Sequence, residues 1–177
     1  MKKIIVTGGL GFIGSNLVEL LLKKNFYVIN IDKAAYSSNF YNTIEFRKSK
    51  KYKFIKLDIA NRKFSKILSE YKPSGVFNLA AETHVDRSID NPSNFIQSNI
   101  VGVYNLLECF KNFSKKNKSK LVHISTDEVY GDVLKGRTSE NYPYQPSSPY
   151  AASKASSDHL INSYIRTYKL PAIVTNC

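Results

Sequence analysis

The chain has 177 residues, 42% of them hydrophobic and 23% charged, which suits one globular domain with a sizeable core and excludes a disordered or fibrous polypeptide. Lys and Arg number 26 against 14 Asp and Glu, and the resulting formal net charge of +12 favours an anionic partner. No apolar run approaches the length of a membrane span, the apolar stretch after Met1-Lys2-Lys3 is short and broken by glycines, and Cys109 and Cys177 offer no disulfide framework, so a cytoplasmic protein is expected.

Strand and helix patterns alternate from the first residues. Apolar, β-branched runs at 3–7, 27–31, 52–57, 74–79, 120–125 and 172–176 read as buried strands. Helical patterns fill 12–24, 61–71, 92–113 and 149–168, and 33–51 reads as a loop with a short helix. Asn91-Pro92 and Ser148-Pro149 each look like an N-cap followed by proline in the first turn, and Pro171 stops the last helix. This alternation implies an α/β fold: a doubly wound parallel sheet of Rossmann type, three layers deep, with strand order 3-2-1-4-5-6. Residues 1–177 form one nucleotide-binding domain in this reading. The lysine clusters at Lys48, Lys50, Lys51, Lys53 and at Lys115, Lys116, Lys118, Lys120 fall in loops or helix ends without any nucleic-acid motif, so they read as solvated charge. His84, His123 and His159 stand apart and make no metal pattern.

Between the first strand and first helix lies Thr7-Gly8-Gly9-Leu10-Gly11-Phe12-Ile13-Gly14. Glycines at 8, 11 and 14 suit a tight turn where a pyrophosphate meets the main chain and a helix amino end; a turn that merely lets helix and strand pack would also use them. Asp32 ends the second strand 18 residues after Gly14, where a carboxylate binds ribose hydroxyls and repels a 2′-phosphate. NAD is therefore favoured over NADP, although Lys33 next to it could soften the discrimination, and a plain turn role for Asp32 stays open. Ser125-Thr126-Asp127-Glu128-Val129-Tyr130-Gly131 follows the fifth strand and sets two adjacent carboxylates at the sheet's carboxyl edge. Such a pair can divide proton transfer between one acid and one base, or can simply be a solvated pair at a helix start. Tyr150 and Lys154 stand at i and i+4 of the last helix, and a nearby ammonium would lower the phenol's pKa; alone, such a pair is common on helices.

Taken together, these residues resemble the extended short-chain dehydrogenase/reductase family, over nearly the whole chain from Thr7 onward. Asp58-Ile59, Asn78-Leu79-Ala80-Ala81 and Asn99 with Gly102 stand where that family has them. Within it, Thr126-Asp127-Glu128 and Ala80-Ala81-Glu82-Thr83-His84-Val85-Asp86-Arg87-Ser88 resemble the sugar-nucleotide 4,6-dehydratases acting on dTDP-glucose or UDP-glucose, lyases of nucleotide-sugar metabolism. The resemblance implies NAD held by Gly8, Gly11, Phe12, Ile13, Gly14, Asp32 and Lys33, and by Asp58, Ile59, Leu79, Ala80, Ala81, Ser98, Tyr150 and Lys154. It implies a nucleoside-diphosphate sugar contacted by Thr83 and Thr126, a homodimer in the full-length form, and no metal, nucleic acid or membrane partner. It further implies that Tyr150, aided by Lys154 and Thr126, takes the 4-hydroxyl proton during oxidation at C4. Glu128 then removes the C5 proton and Asp127 donates to the departing 6-hydroxyl, before reduction at C6 yields the 4-keto-6-deoxy sugar. A related epimerase and a non-catalytic NAD-binding module are the alternatives. Family members run to roughly twice this length, so the chain is expected to be an amino-terminal portion that binds NAD but turns over little by itself.

Overall fold

The computed structural model describes residues 1–177. Its six strands are β1 (Lys3–Thr7), β2 (Tyr27–Asp32), β3 (Tyr52–Lys56), β4 (Gly75–Asn78), β5 (Lys120–Ile124) and β6 (Ala172–Thr175). They form one parallel sheet in the order β3-β2-β1-β4-β5-β6, as the alternation of patterns predicts. The helices are α1 (Phe12–Lys23), α2 (Phe64–Tyr71), α3 (Val85–Asp90), α4 (Ser93–Phe95), α5 (Gly102–Ser114) and α6 (Pro149–Tyr168), and a 3₁₀ turn at Phe40–Thr43 interrupts the long loop after β2.

Strand periodicity sorts the core into two faces. Ile5, Ile29, Ile31, Val76 and Leu121 point to the side covered by α2, α5 and α6, where Phe64, Leu68, Leu106, Leu107, Phe110 and Ile161 complete the main core. Ile4, Val6 and Val28 point the other way, against Val18 and Leu21 of α1. Burying so many aliphatic and aromatic side chains, at about 1.5–3 kcal/mol each, dominates the stability. The three expected layers are present, but the second face is fully clothed only near β1 and β2; Ile173 on β6 is exposed.

Two helical details depart from the sequence expectation. Residues 85–90 form α3, a helix absent from the expected elements. The single helix expected over 92–113 is instead α4, then a π-helical stretch at Ile96–Val101, then α5. Asn91 accepts hydrogen bonds from the Ser93 N–H (3.2 Å) and Ser93 Oγ (2.6 Å), which separates α3 from α4 around Pro92. Side-chain periodicity does not distinguish a wider helical turn over six residues, so the sequence carries no signal for it. At α6, by contrast, Ser148 caps as predicted, its Oγ accepting from the Ala151 N–H at 3.0 Å.

The first turn of α1 packs tightly on the turn that follows β1. A Cβ placed on Gly14 would lie 2.2 Å from the Gly8 carbonyl oxygen and 2.8 Å from Gly9 Cα, so only glycine lets the helix start this near the strand. Gly14→Ala is expected to destabilise the protein by about 2–3 kcal/mol, in the range of core overpacking. Urea unfolding monitored by circular dichroism checks this, as a lowered midpoint at unchanged slope.

Candidate active site

The carboxyl ends of the strands share one edge. The register pairs Thr7 with Ile31 on one side and with Asn78 on the other, and Asn78 with His123. A cleft of about 510 Å³ opens along this edge, a size suited to a cofactor or small ligand. Its floor comes from the β1–α1 turn, through Gly8, Gly11, Phe12, Ile13 and Gly14. Gly8 has φ +73, and a Cβ there would run into the Leu79–Ala80 peptide at 2.7 Å. The Gly8 N–H donates to the Ile31 carbonyl at 2.9 Å, fixing the turn between β2 and β4. The amino end of α1 has no side-chain cap and no acid in its first turn, and a Cβ on Gly11 would meet only Gly8 O at 3.3 Å. An unblocked helix amino end lined by small residues suits an anion such as a pyrophosphate.

Asp32 and Lys33, from the end of β2, line the same cleft. Asp32 is buried, with Oδ2 accepting from the Leu10 N–H (3.0 Å) and Oδ1 from the Ala34 N–H and Ser38 Oγ (both 2.8 Å). It is therefore a turn-organising carboxylate that also lines the cleft. Lys33 Nζ turns to Glu82 Oε1 (2.5 Å) and Ser98 Oγ (2.7 Å). Asp58, Ile59, Leu79, Ala80, Ala81 and Ser98 complete this end of the cleft. Asp58 folds its own turn through the Ala60 N–H at 2.8 Å, leaving the apolar side chains of Ile59 and Leu79 as walls suited to a flat ring.

At the other end, Thr83, Thr126, Tyr150 and Lys154 line the same space. Tyr150 is buried, and its backbone N–H donates to Ser88 Oγ of α3 (3.0 Å), which itself donates to the Val85 carbonyl (2.6 Å). Ser88 thus ties α6 to the helix that sequence reading missed. The phenol does not behave as expected. Burial raises the Tyr150 pKa, a hydrogen bond with Thr126 opposes the shift, and the negative charges of Glu128 and Asp127 reinforce it. Lys154 is also buried, and its ammonium donates to the Ile124 carbonyl at 2.7 Å. Burial pushes Lys154 down to about 8, against the charge of Asp158.

Asp127 and Glu128 follow the carboxyl end of β5, as expected. They occupy a 3₁₀ turn, Asp127–Tyr130, immediately beyond Thr126, but both are exposed and neither lines the cleft. The tight turn is capped by Thr126 Oγ1, which accepts from the Glu128 N–H at 3.3 Å, and it leaves both carboxylates facing solvent. Burial and then the charge of Asp127 raise the Glu128 pKa.

Behind Lys154 runs a buried polar chain with a fixed sense. The Ala80 N–H donates to Thr7 Oγ1 (3.3 Å), which donates to Asn78 Oδ1 (2.6 Å). That orients the Asn78 amide, whose Nδ2 donates to His123 Nδ1 (2.9 Å) and leaves the ring proton on Nε2, 3.5 Å from Asp158 Oδ1. Asp158 Oδ2 accepts from Ser125 Oγ (2.6 Å) and Tyr144 OH (3.0 Å). Lone polar residues inside apolar strands (Asn78, His123) are the one sequence signal for this chain.

The model for the family described as GDP-mannose 4,6 dehydratase matches residues 5–177. The chain belongs to that family. Similar curated members are the dTDP-glucose 4,6-dehydratases of Neisseria meningitidis (47% identical, 100% of this chain and 53% of the relative) and Salmonella typhimurium (46%, 99% and 54%). A solved Streptomyces venezuelae dTDP-glucose 4,6-dehydratase with NAD bound superposes with a TM-score of 0.92 at 37% identity, covering 99% of this chain and 55% of that one. A Thermus thermophilus UDP-glucose 4-epimerase in complex with NAD gives 0.86 at 34%, covering 97% and 53%. The chain spans about half the length of these members. No helix is long and apolar enough to cross a membrane.

The His123 environment predicts a pH dependence. Burial first, and then the positive charge of Lys154, hold His123 well below the ordinary imidazole range. Its folded pKa is thus depressed, so on acidification the unfolded chain takes up this proton first. Stability should fall as pH drops below about 6.5, by up to about 1.4 kcal/mol per unit. Guanidinium unfolding between pH 7 and 5 is expected to show that slope, and His123→Gln to reduce it.

Proposed function

We propose that this chain supplies the cofactor-binding and reacting residues of an NAD-dependent dTDP-glucose 4,6-dehydratase. One observation carries the reading: a single cleft joins the glycine turn and Asp32 to Thr126, Tyr150 and Lys154, with the Asp127-Glu128 pair on the very next turn. The uncapped end of α1 would hold the pyrophosphate of NAD, Asp32 the adenosine ribose, and Ile59 with Leu79 the adenine. When bound, NAD supplies a hydride acceptor for sugar oxidation at C4 and the donor for reduction at C6.

The remaining steps are proton transfers by the chain itself. Tyr150 would accept the 4-hydroxyl proton, aided by Thr126, with Lys154 one helical turn further on and lining the same cleft. Its raised pKa in the absence of ligands means that the phenolate needs added positive charge to form near neutral pH. The new 4-ketone acidifies C5–H, Glu128 would remove that proton, and Asp127 would protonate the departing 6-hydroxyl. The two carboxyls need different environments for these roles, and both are exposed; a sugar seated over the 3₁₀ turn would cover them. Thr83 would contact the sugar nucleotide. Exposed Ile89, Ile96, Val101 and Tyr104 on α3–α5 support a homodimer in the full-length form, and the two free cysteines support a reducing, cytoplasmic setting.

NAD⁺ should bind the 177-residue chain more tightly than NADP⁺ in a fluorescence titration, and Asp32→Ala should narrow that gap while weakening the turn it organises. Equal affinity of the unaltered chain for both dinucleotides would refute the role of Asp32. For catalysis, the chain can be expressed with the carboxyl-terminal half of the Neisseria meningitidis member and supplied with dTDP-glucose. A product lighter by one water is expected. Asp127→Asn should slow its formation by about 100-fold or more, and Glu128→Gln should suppress solvent deuterium uptake at C5. Product formation unaffected by Asp127→Asn would overturn the assignment; NAD⁺ binding with no turnover would identify a non-catalytic module.

A further inference from the structure

A lysine directly after Asp32 poses a physical problem for selectivity. A free ammonium beside the adenosine ribose would attract a 2′-phosphate and offset the repulsion from Asp32. In this structure Lys33 lines the cleft but is not free. Its Nζ lies 2.5 Å from Glu82 Oε1 and 2.7 Å from Ser98 Oγ. Glu82 is 4% exposed and Ser98 8%, so both partners of the ammonium are buried, while the Lys33 side chain itself keeps 32% of its surface open to the cleft.

Glu82 is held firmly. Its N–H donates to Asn99 Oδ1 at 2.9 Å, and its carbonyl accepts from Asn99 Nδ2 at 3.0 Å. Asn99 Nδ2 also donates to Ser153 Oγ on α6 at 2.9 Å, linking this clamp to the helix of Tyr150 and Lys154. Ser98 and Asn99 are neighbours within the π-helical stretch, one engaging the lysine and the other the glutamate backbone. The other nearby cation, Arg87, stacks over the Tyr36 ring at 3.8 Å and does not line the cleft.

We propose that Glu82, assisted by Ser98, is a specificity-determining residue that excludes 2′-phosphorylated dinucleotides by engaging Lys33. The proposal rests on the NAD-binding reading above and extends it to residues outside the glycine turn and Asp32. To reach a 2′-phosphate, Lys33 would have to leave two partners and strand a buried carboxylate, which is costly. A 2′-phosphate therefore meets Asp32 with no available cation, whereas the ribose hydroxyls of NAD bring no charge to be met.

The test is the ratio of NADP⁺ to NAD⁺ dissociation constants for the 177-residue chain, measured by calorimetric titration. Glu82→Gln, which keeps the backbone clamp to Asn99, should lower that ratio about fivefold by releasing the ammonium. Adding Lys33→Met to Glu82→Gln should cancel the gain, since the released charge is then gone. Ser98→Ala should lower the ratio in the same direction by less, and it carries the test if Glu82→Gln fails to fold. An unchanged ratio in a folded Glu82→Gln or, failing that, in Ser98→Ala overturns the proposal, as does a lowered ratio that survives Lys33→Met. If the unaltered chain binds neither dinucleotide, the cofactor reading itself fails and this proposal with it. If it binds NAD⁺ but the variants leave the ratio unmoved, only the role of Glu82 fails.

Discussion

The site depends on one constraint: β1 and β4 are pinned together where their loops part to opposite sides of the sheet. Thr7 Oγ1 donates to Asn78 Oδ1 at 2.6 Å, the Ala80 N–H reaches back to Thr7 Oγ1, and Gly8 packs so tightly on the Leu79–Ala80 peptide that no Cβ fits between them. In a doubly wound sheet this is the switch point, and the crevice outside it is where ligands bind. The cleft walls lie within a few residues of that pin: the glycine turn on one side, Leu79–Ala81 on the other, with Asp32 and Thr126 at the neighbouring strand ends. The Thr7–Asn78 bond also sets the direction of the buried chain that continues through His123 to Asp158.

A basic protein has thus built a cleft in which positive charge is rationed. Lys33 is held by Glu82 and Ser98, and Lys154 by the Ile124 carbonyl, with Asp158 one helical turn further along α6. Burial leaves Lys154 near 8, so its ammonium is only moderately favoured at neutral pH. Tyr150 and Glu128 are both shifted upward without ligands present, mainly by burial. Both shifts oppose ionisation, so positive charge brought by a ligand would favour the phenolate of Tyr150.

Much of this was legible in the sequence, because it depends on local rules. Short β-branched strands alternating with capped helices predicted the sheet order, and Ser148-Pro149 marked the first turn of α6. The glycine spacing, Asp32, Thr126, Tyr150 and Lys154 all meet in one cleft, because each follows directly from a strand end or a helix start. What escaped depended on contacts distant in sequence or on subtle backbone changes. Nothing local marks Ile96–Val101 as π-helical, or sends Lys33 to Glu82, 49 residues away. Asp127 and Glu128 were placed at the end of the fifth strand, but the 3₁₀ turn over four residues that leaves them exposed has no local sequence signal. Ser88 and Asp158 gain their meaning only from α6 packing against α3 and β5.

The central claim is that one dinucleotide cleft spans the β1–β4 switch point. Amide chemical-shift perturbation in ¹⁵N-labelled protein titrated with NAD⁺ tests it directly. The account predicts saturable shifts on both sides of the pin, at Gly8–Gly14 and Leu79–Ala81, together with Asp32, Lys33 and Ile59. Shifts confined to one side, or clustered instead on the lysine-rich segments 48–53 and 115–120, would contradict it.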